Sequence, residues 1–206
     1  MLSIPELFTE RLTIRPFRAE DLPVVHEILD RELTEASMGS ESTDLQGRRE
    51  WLTWSILNYE QLRRLRQPPY GDRAIQLLET GQLIGACGFV PCLGEFSKIP
   101  GLAPAGEPGP ADFNTPELGI FYAISTGFRR QGYASEAARA LVEYCFRTLR
   151  VRRVIATTDY DNAGSIGVMR RIGMSLGSNP TPEPAWLQVV GLVEHPDAHA
   201  ARVATL

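Results

Sequence analysis

A short basic turn carries the clearest chemical potential in the sequence. The letters RRQGYAS occupy positions 129 to 135, between an apolar run and a segment with helical spacing. Gly132 lets the backbone approach a ligand closely, and Ala134 and Ser135 are too small to block that approach. A helix beginning here would add free N–H groups and the positive end of its dipole. The turn is therefore predicted to bind phosphate.

Two elements must hold this turn in place. From Leu118 to Ile124 the residues are almost wholly apolar, which predicts a strand buried on both faces. After the turn, apolar residues recur three and four positions apart and predict one face of a helix. They are Ala138, Leu141, Val142, Cys145 and Leu149. The sequence thus predicts a strand, a phosphate-binding turn and a helix in succession.

Three motifs together resemble the GNAT family of N-acetyltransferases. Arg-x-x-Gly-x-Ala, from Arg129 to Ala134, is similar to the family's acetyl-CoA pyrophosphate signature. The segment DNAGSIGVMRRIGM, at positions 161 to 174, looks like the family's Asn-x-x-Ser-Ile element that ends in Gly-Phe. The opening segment TERLTIRPF, from Thr9 to Phe17, is similar to the first strand of the RimJ/RimL-type branch. The resemblance spans roughly residues 9 to 194.

This resemblance implies an α/β (α+β) fold in a single domain over residues 1–206, with its core at about 9–194. A mixed, mostly antiparallel sheet of about six or seven strands would be flanked by helices. A splayed central strand pair would bind acetyl-CoA.

The resemblance also implies which residues bind acetyl-CoA, the co-substrate. They are Phe121, Tyr122, Ala123, Ile124, Arg129, Arg130, Gln131, Gly132, Tyr133, Ala134, Ser135, Asn162 and Ser165. Backbone groups of the first four would bond the pantetheine amides and the thioester oxygen. The turn from Arg130 to Ser135 would hold the pyrophosphate, and no metal is expected.

Acetyl transfer to an amine requires a neutral amine and a proton for the leaving thiolate. Glu117, at the position resembling the family's frequent glutamate base, is predicted to deprotonate the acceptor; the alternative is an ion pair with a neighbouring arginine. Many relatives use a tyrosine as the acid, but Met169 occupies that position here. The resemblance to the RimJ/RimL branch implies Ser165 as the acid instead, although Asn162 and Ser165 also suit the start of a helix.

The predicted reaction is direct attack of a primary amine on acetyl-CoA in a ternary complex. Cys145 lies on an apolar helix face without a basic partner, which disfavours a covalent intermediate. The acceptor would be a protein N-terminus or a small amine. The missing tyrosine leaves open a catalytically inactive acyl-CoA-binding sensor or scaffold, with Tyr122 and Tyr160 as reserve acids. A nucleotide-binding protein is disfavoured because no Gly-x-x-x-x-Gly-Lys-Ser/Thr pattern is present.

Composition narrows the partners. The chain has 206 residues and a net charge of −4, which argues against nucleic acid because neutralising phosphates needs a basic face. No apolar stretch is long enough to cross a bilayer and the start lacks a signal-peptide pattern, so a cytoplasmic enzyme is expected. Cys87, Cys92 and Cys145 are expected to be reduced thiols. Similar proteins commonly form a homodimer, and the oligomeric state stays open.

Two amphipathic segments in the first half predict helices. The first covers Leu22 to Leu29, with His26 in a structural role. The second runs from about Arg48 to Arg66, and Trp51 and Trp54 are predicted to face the core.

The segment between these helices has an acidic cast. It contains Glu32, Glu35, Glu41 and Asp44. These carboxylates would either attract a cationic amine or form a solvated loop.

The remaining segments are predicted by alternation and by turn residues. Arg73 to Leu78 and Gln82 to Val90 predict a hairpin. The proline- and glycine-rich stretch from Pro91 to Pro116 is predicted to be a loop without a packed element. Later strands are predicted at Val154 to Thr158, Met174 to Gly177 and Trp186 to Val193. The tail from His195 onward is predicted to be frayed.

Overall fold

The observed strands and helices follow the predicted order along the chain. The computed structural model describes residues 5–35, 42–68, 70–96, 99–100 and 114–197. The strands are β1 (Leu7–Phe8), β2 (Leu12–Pro16), β3 (Gly71–Leu77), β4 (Leu83–Gly94), β5 (Thr115–Ile124), β6 (Arg153–Thr158), β7 (Ser175–Ser178) and β8 (Val189–Glu194). The helices are α1 (Leu22–His26), α2 (Leu33–Glu35), α3 (Leu45–Arg64), α4 (Tyr133–Arg147) and α5 (Ala163–Arg171), and a π-helical turn (Glu27–Glu32) joins α1 to α2. Short 3-10 turns cover Ala19–Asp21, Thr126–Phe128 and Ala185–Leu187.

The chain forms two units, and β4 and β5 each contribute a segment to both. The first unit comprises Met1–Phe89 and Phe121–Leu141, and the second comprises Val90–Ile120 and Val142–Leu206. The strand order is β1-β2-β3-β4-β5 in the first unit and β4-β5-β6-β8-β7 in the second.

The strands make the mixed, mostly antiparallel sheet that the sequence predicts. β1 to β4 pair antiparallel in succession, and β8 pairs antiparallel with both β6 and β7, whereas β5 and β6 are parallel. The sheet has eight strands rather than six or seven. The additional strand is β1, which has two residues and is too short to leave an alternating pattern in the sequence.

The core of the first unit follows from the predicted spacing. Alternation in β2 buries Leu12 and Ile14 completely. Val25 and Ile28, at helical spacing, pack with Leu52 of α3 against the face of β3 and β4 that carries two alanines. Burying side chains of this size contributes about 1.5–3 kcal/mol each. The first predicted helix is therefore confirmed, although it becomes π-helical from Glu27 onward.

The second predicted helix is confirmed as α3, whose first turn is capped by Asp44. Trp51 is half-buried and packs edge-on against Phe17, with 5.4 Å between ring centroids. Trp54 is 56% exposed, so the prediction that it faces the core is wrong. The buried face of α3 passes through Leu52, and a residue two positions later lies on the opposite side of a helix.

The second unit contains the parallel pair. β6 and β8 pair along their whole length, but the register of β5 and β6 joins Gly119 to Ile155 at a single described position. Two strands that splay apart can pair only over such a short length, so this register agrees with a splayed β5–β6 pair. The core here includes Phe96, Ile99 and Val190.

The stretch from Pro91 to Pro116 was predicted to hold no packed element, which is wrong for its described parts. β4 continues to Gly94 and β5 begins at Thr115, and Phe96 and Ile99 are each 1% exposed. Pairing between β3 and β4 ends at residue 89, so Pro91 gives up no hydrogen bond to β3. Residues 97–98 and 101–113 lie outside the described residues.

The tail does not begin to fray at His195, contrary to the prediction. Its backbone N–H donates to the Arg152 carbonyl at 2.8 Å, and its imidazole is buried edge-on against Phe146 with 5.2 Å between ring centroids. Residues 198–206 lie outside the described residues.

Two features are absent from the described residues. No helix there combines the length and apolarity needed to cross a membrane. No group of three or more His, Cys, Asp or Glu side chains there could hold a metal ion.

Candidate functional site

The turn after β5 contains two residues in the left-handed backbone conformation. Arg130 has a φ of 59° and Gly132 a φ of 88°, and a non-glycine residue at positive φ is uncommon. The Gly132 carbonyl accepts the N–H of Glu136 at 3.0 Å. The N–H groups before Glu136 therefore precede the helical hydrogen-bond ladder of α4 and are available to a ligand. Left-handed residues in such a turn form an anion-binding concavity.

Two buried polar atoms beside this turn have no hydrogen-bond partner among the described residues. They are Nη2 of Arg129 and Oγ of Ser135. The Arg129 Nε donates to the Ile124 carbonyl at 3.4 Å, which directs the guanidinium back toward β5. An unsatisfied buried donor costs about 1–3 kcal/mol. An anionic ligand in the turn would satisfy both atoms.

The predicted cofactor residues of β5 lie in the same unit as the turn. Phe121, Tyr122 and Ala123 are half-buried, and Ile124 is buried. The first unit therefore contains both the strand segment and the turn that the sequence assigned to acetyl-CoA.

The chain just before the turn is held by Glu32. Its carboxylate accepts hydrogen bonds from the Thr126 N–H at 2.7 Å and from the Thr126 hydroxyl at 3.1 Å. Burial alone would raise the pKa of Glu32, but hydrogen bonds from Ser125 and Thr126 lower it below its ordinary value. Two carboxylates of the acidic segment, Glu32 and Asp44, thus serve backbone N–H groups. Glu41 and the side chain of Glu35 lie outside the described residues.

The opening strand segment fastens the turn from the other side. The Arg11 Nη1 donates to the Gln131 carbonyl at 3.0 Å, and the guanidinium lies 4.4 Å from the centre of the Tyr133 ring. Arg11 also donates to Glu136 through its backbone N–H at 2.9 Å and through Nε at 2.8 Å.

Thr9 also contacts Glu136, because its hydroxyl donates to the same carboxylate at 2.6 Å. The contacts of Thr9 and Arg11 with Glu136 form what we call the Arg11 clamp. Burial would raise the pKa of Glu136, but the hydrogen bonds from Thr9 and Arg11 lower it. Sequence reasoning identified the opening motif but missed this contact. The sequence shows Thr9 and Arg11 as polar residues beside a buried strand, but it gives no indication that their partner lies 125 or more positions away.

Glu117, the predicted base, lies in the second unit in an ion pair. Both of its carboxylate oxygens accept hydrogen bonds from Arg153, one from Nε at 2.8 Å and the other from Nη2. Its side chain is 5% exposed. The pairing corresponds to the structural alternative that the sequence left open.

The second predicted motif forms the start of α5, also in the second unit. The Asn162 Oδ1 accepts the Ser165 N–H at 3.0 Å and so caps the helix. Ser165 is half-buried. Met169, where many relatives carry a tyrosine, is completely buried. The reserve acid Tyr160 donates its hydroxyl to the Asn179 carbonyl at 2.5 Å, which gives it a structural role.

The mixed sheet and the left-handed turn at the start of α4 are features of the α/β class of folds. A family model described as an acetyltransferase (GNAT) domain matches residues 11–175. The chain therefore belongs to the GNAT acetyltransferase family, and it is an acyltransferase enzyme.

Individual relatives agree with this assignment. Over 61 residues, 30% of this chain, the sequence is 41% identical to the uncharacterized N-acetyltransferase YnaD of Bacillus subtilis, and the match spans 35% of that relative. An acetyltransferase structure from Agrobacterium tumefaciens str. C58 has a TM-score of 0.66 at 26% identity and covers 94% of this chain and 96% of that one. A structure of RimL, a ribosomal L7/L12 alpha-N-protein acetyltransferase in complex with coenzyme A, has a TM-score of 0.60 at 18% identity over 92% of this chain and 94% of that one. At that identity it shows a shared fold.

Proposed function

We propose that this enzyme transfers an acetyl group from acetyl-CoA to a primary amine, either a protein N-terminus or a small amine, in the manner of the RimJ/RimL branch. The observation that carries the proposal is the turn from Arg129 to Ser135. Its left-handed residues, its position at the start of α4 and its two unpartnered buried polar atoms suit a pyrophosphate. The opening TERL segment and the shared fold with RimL support the choice of branch.

The chemistry needs the thioester to be held and polarised. The N–H groups of Arg130 to Ser135 bind the pyrophosphate, and backbone groups of Phe121 to Ile124 bind the pantetheine and the thioester oxygen. Backbone donors aimed at the oxygen where negative charge develops stabilise the transition state. The neutral amine attacks the thioester carbon directly, and Ser165 donates a proton to the departing thiolate.

Thiol release from acetyl-CoA tests this proposal. The purified chain is incubated with N-terminal peptides, polyamines, amino acids and aminoglycosides, while calorimetry on the same preparation measures acetyl-CoA binding. Release with one class of amine is expected and identifies the acceptor. Tight binding without release from any amine would indicate an acyl-CoA sensor, and no binding would contradict the assignment of the turn.

Replacing Ser165 with alanine is expected to lower kcat about 10²-fold or more at unchanged acetyl-CoA affinity, since general acid catalysis contributes about 10²–10⁴-fold. Replacing Glu117 with glutamine distinguishes its two roles. A base would lose kcat without losing stability, whereas removal of the structural partner of Arg153 would lower the melting temperature. A Ser165→Ala enzyme with the parent kcat would remove the hydroxyl from the mechanism.

The Arg11 clamp predicts a change in KM rather than in kcat. Without Arg11, Glu136 keeps an unneutralised negative charge beside the pyrophosphate, so the KM for acetyl-CoA in Arg11→Ala should rise about tenfold. Steady-state kinetics with varied acetyl-CoA measures this. Arg64→Ala, which removes an arginine from an exposed ion pair on α3, is the matched control and should keep the parent KM. A fall in kcat at constant KM would contradict a role in positioning the turn.

A further inference from the structure

We propose that Asp72 is the carboxylate that binds the ammonium group of the acceptor and takes its proton, which makes the acceptor a cationic primary amine. This inference rests on the acetyl transfer proposed above. It assigns to β3 a base that the sequence placed on β5.

The sheet order places β3, which carries Asp72, one strand away from β5, the strand proposed to bind the thioester. Asp72 pairs with Gly88 of β4, so the two residues face the same side of the sheet. A methyl group added at Gly88 would lie 2.9 Å from the Asp72 Cα and 2.8 Å from the Phe121 Cε1. Gly88 therefore lets the Phe121 ring lie directly against the β3 backbone at Asp72, on the face of the sheet that Asp72 shares with Gly88.

The spacing suits the reaction. β3 and β5 are two strand intervals apart, which is about 10 Å between their backbones. A carboxylate, an amine nitrogen within hydrogen-bonding distance of it and a thioester carbon near β5 fit within that span. Asp72 is half-buried, as a group that must meet a substrate from solvent should be.

The hydrogen bonding of Asp72 leaves it able to accept a proton. The Trp51 side chain donates one hydrogen bond to its carboxylate. Arg48, the nearby cation on α3, directs its Nε and Nη2 to Asp30 at 2.8 and 2.6 Å. It acts on Asp72 through its charge, without a hydrogen bond among those that the described residues make. The Asp72 carboxylate therefore accepts fewer hydrogen bonds than the Asp30 carboxylate.

The titratable groups around Asp72 set its proton affinity. Burial raises the pKa of Asp72 to about 6, opposed by the charge of Arg48 and by the Trp51 hydrogen bond. Tyr59 of α3 donates its hydroxyl to the Asp72 carbonyl, and burial raises the pKa of that phenol to about 12, so it stays neutral. On the opposite face of the sheet, burial raises the pKa of the Cys87 thiol to about 12, and this group also stays neutral.

One N–C bond forms and one C–S bond breaks in the proposed step. The acceptor ammonium gives one proton to the ionised Asp72 carboxylate and becomes a neutral amine. Its lone pair forms the new N–C bond at the acetyl carbon. As the C–S bond breaks, the nitrogen loses a second proton, which passes to the leaving thiolate and yields the amide and the free thiol. Amines with a pKa of about 8 to 10 are protonated at neutral pH, and a carboxylate whose pKa is raised is a better match to them than an ordinary one.

The test compares the parent, Asp72→Asn and Asp197→Asn across pH, with spermidine, glycinamide and a peptide with an N-terminal serine as acceptors. Asp197 is an exposed surface carboxylate and provides the matched control. Asp72→Asn should lose about 10²–10³-fold in kcat/KM for the amine while its calorimetric affinity for acetyl-CoA stays within about twofold. Parent activity should rise with pH through about 6, as Asp72 ionises, and the residual activity of Asp72→Asn should lack this limb.

Stability separates this outcome from misfolding. The raised pKa means that ionised Asp72 costs folding free energy at neutral pH, so Asp72→Asn should melt no lower than the parent. If the parent is active and Asp72→Asn keeps its kcat/KM and its acid limb, the assignment of Asp72 is overturned and the acetyl transfer stands. If the parent releases no thiol with any amine, both proposals fail.

Discussion

Asp30→Ala is expected to lower the free energy of unfolding by about 3–5 kcal/mol. Asp30 is 7% exposed and accepts hydrogen bonds from Arg48 at 2.6 and 2.8 Å, from the His26 ring at 2.8 Å and from the Thr43 N–H at 3.0 Å. Alanine would leave a buried guanidinium without its counter-charge. Loss of one partner from a buried pair costs more than the pair itself contributes. Urea denaturation monitored by circular dichroism measures the change.

A surface ion pair provides the control for this prediction. Glu60 accepts hydrogen bonds from Arg63 and Arg64 on the exposed side of α3, so Glu60→Ala should keep the parent denaturation midpoint. Equal midpoints for the Asp30 and Glu60 variants would mean that Arg48 reaches solvent once its partner is gone.

Lowering the pH should reduce the free energy of unfolding for the same reason that Asp30→Ala does, because it removes the charge of Asp30. Burial would raise the pKa of Asp30, but hydrogen bonds from Arg48, Thr43 and His26 outweigh burial and lower it. A folded-state pKa below the unfolded value stabilises the protein above about pH 4, and this stabilisation is lost as the pH falls through the folded pKa. The same network supports the proposed site, because Arg48 lies 4.8 Å from the centre of the Trp51 ring and Trp51 donates to Asp72.

The turn and its helix could be predicted because their signals are local. The helical spacing after Ala134 and the glycine at 132 are sequence properties, and α4 begins at Tyr133 directly after a glycine at positive φ. The cap at Asn162 could be predicted for the same reason. A capping residue bonds the backbone two or three positions along the chain.

Partner choice between distant residues could not be predicted. The contact of Arg11 with Glu136 joins residues 125 positions apart, and no spacing rule specifies it. The raised pKa of Asp72 results from burial under α3, which a lone aspartate at the start of a strand does not reveal. Composition also misled at residues 91–100, where burial of Phe96 and Ile99 overrides the prolines and glycines around them.

Gly132→Ala is expected to weaken acetyl-CoA binding by about 10- to 100-fold. A residue with a Cβ costs about 1–2 kcal/mol in a left-handed conformation, and here the Cβ would also lie 3.3 Å from the Arg11 Nη2. Relief of this strain would rotate the N–H groups away from the pyrophosphate, which costs about 1.5–3 kcal/mol for each hydrogen bond lost to a charged group. Isothermal titration calorimetry with acetyl-CoA measures the loss.

Gly173 separates backbone strain from ligand binding in this experiment. Its φ of 86° matches the 88° of Gly132, and an added Cβ there would meet no atom within 4 Å. Gly173→Ala should therefore lower the melting temperature by a similar amount and leave acetyl-CoA affinity unchanged, since it ends α5 rather than opening a helix toward the cofactor. If both variants melt lower and both bind acetyl-CoA like the parent, the backbone of the turn does not hold the pyrophosphate. If only Gly132→Ala loses affinity, the left-handed turn is the phosphate site, and Arg11 and Thr9 fix it in place through Glu136.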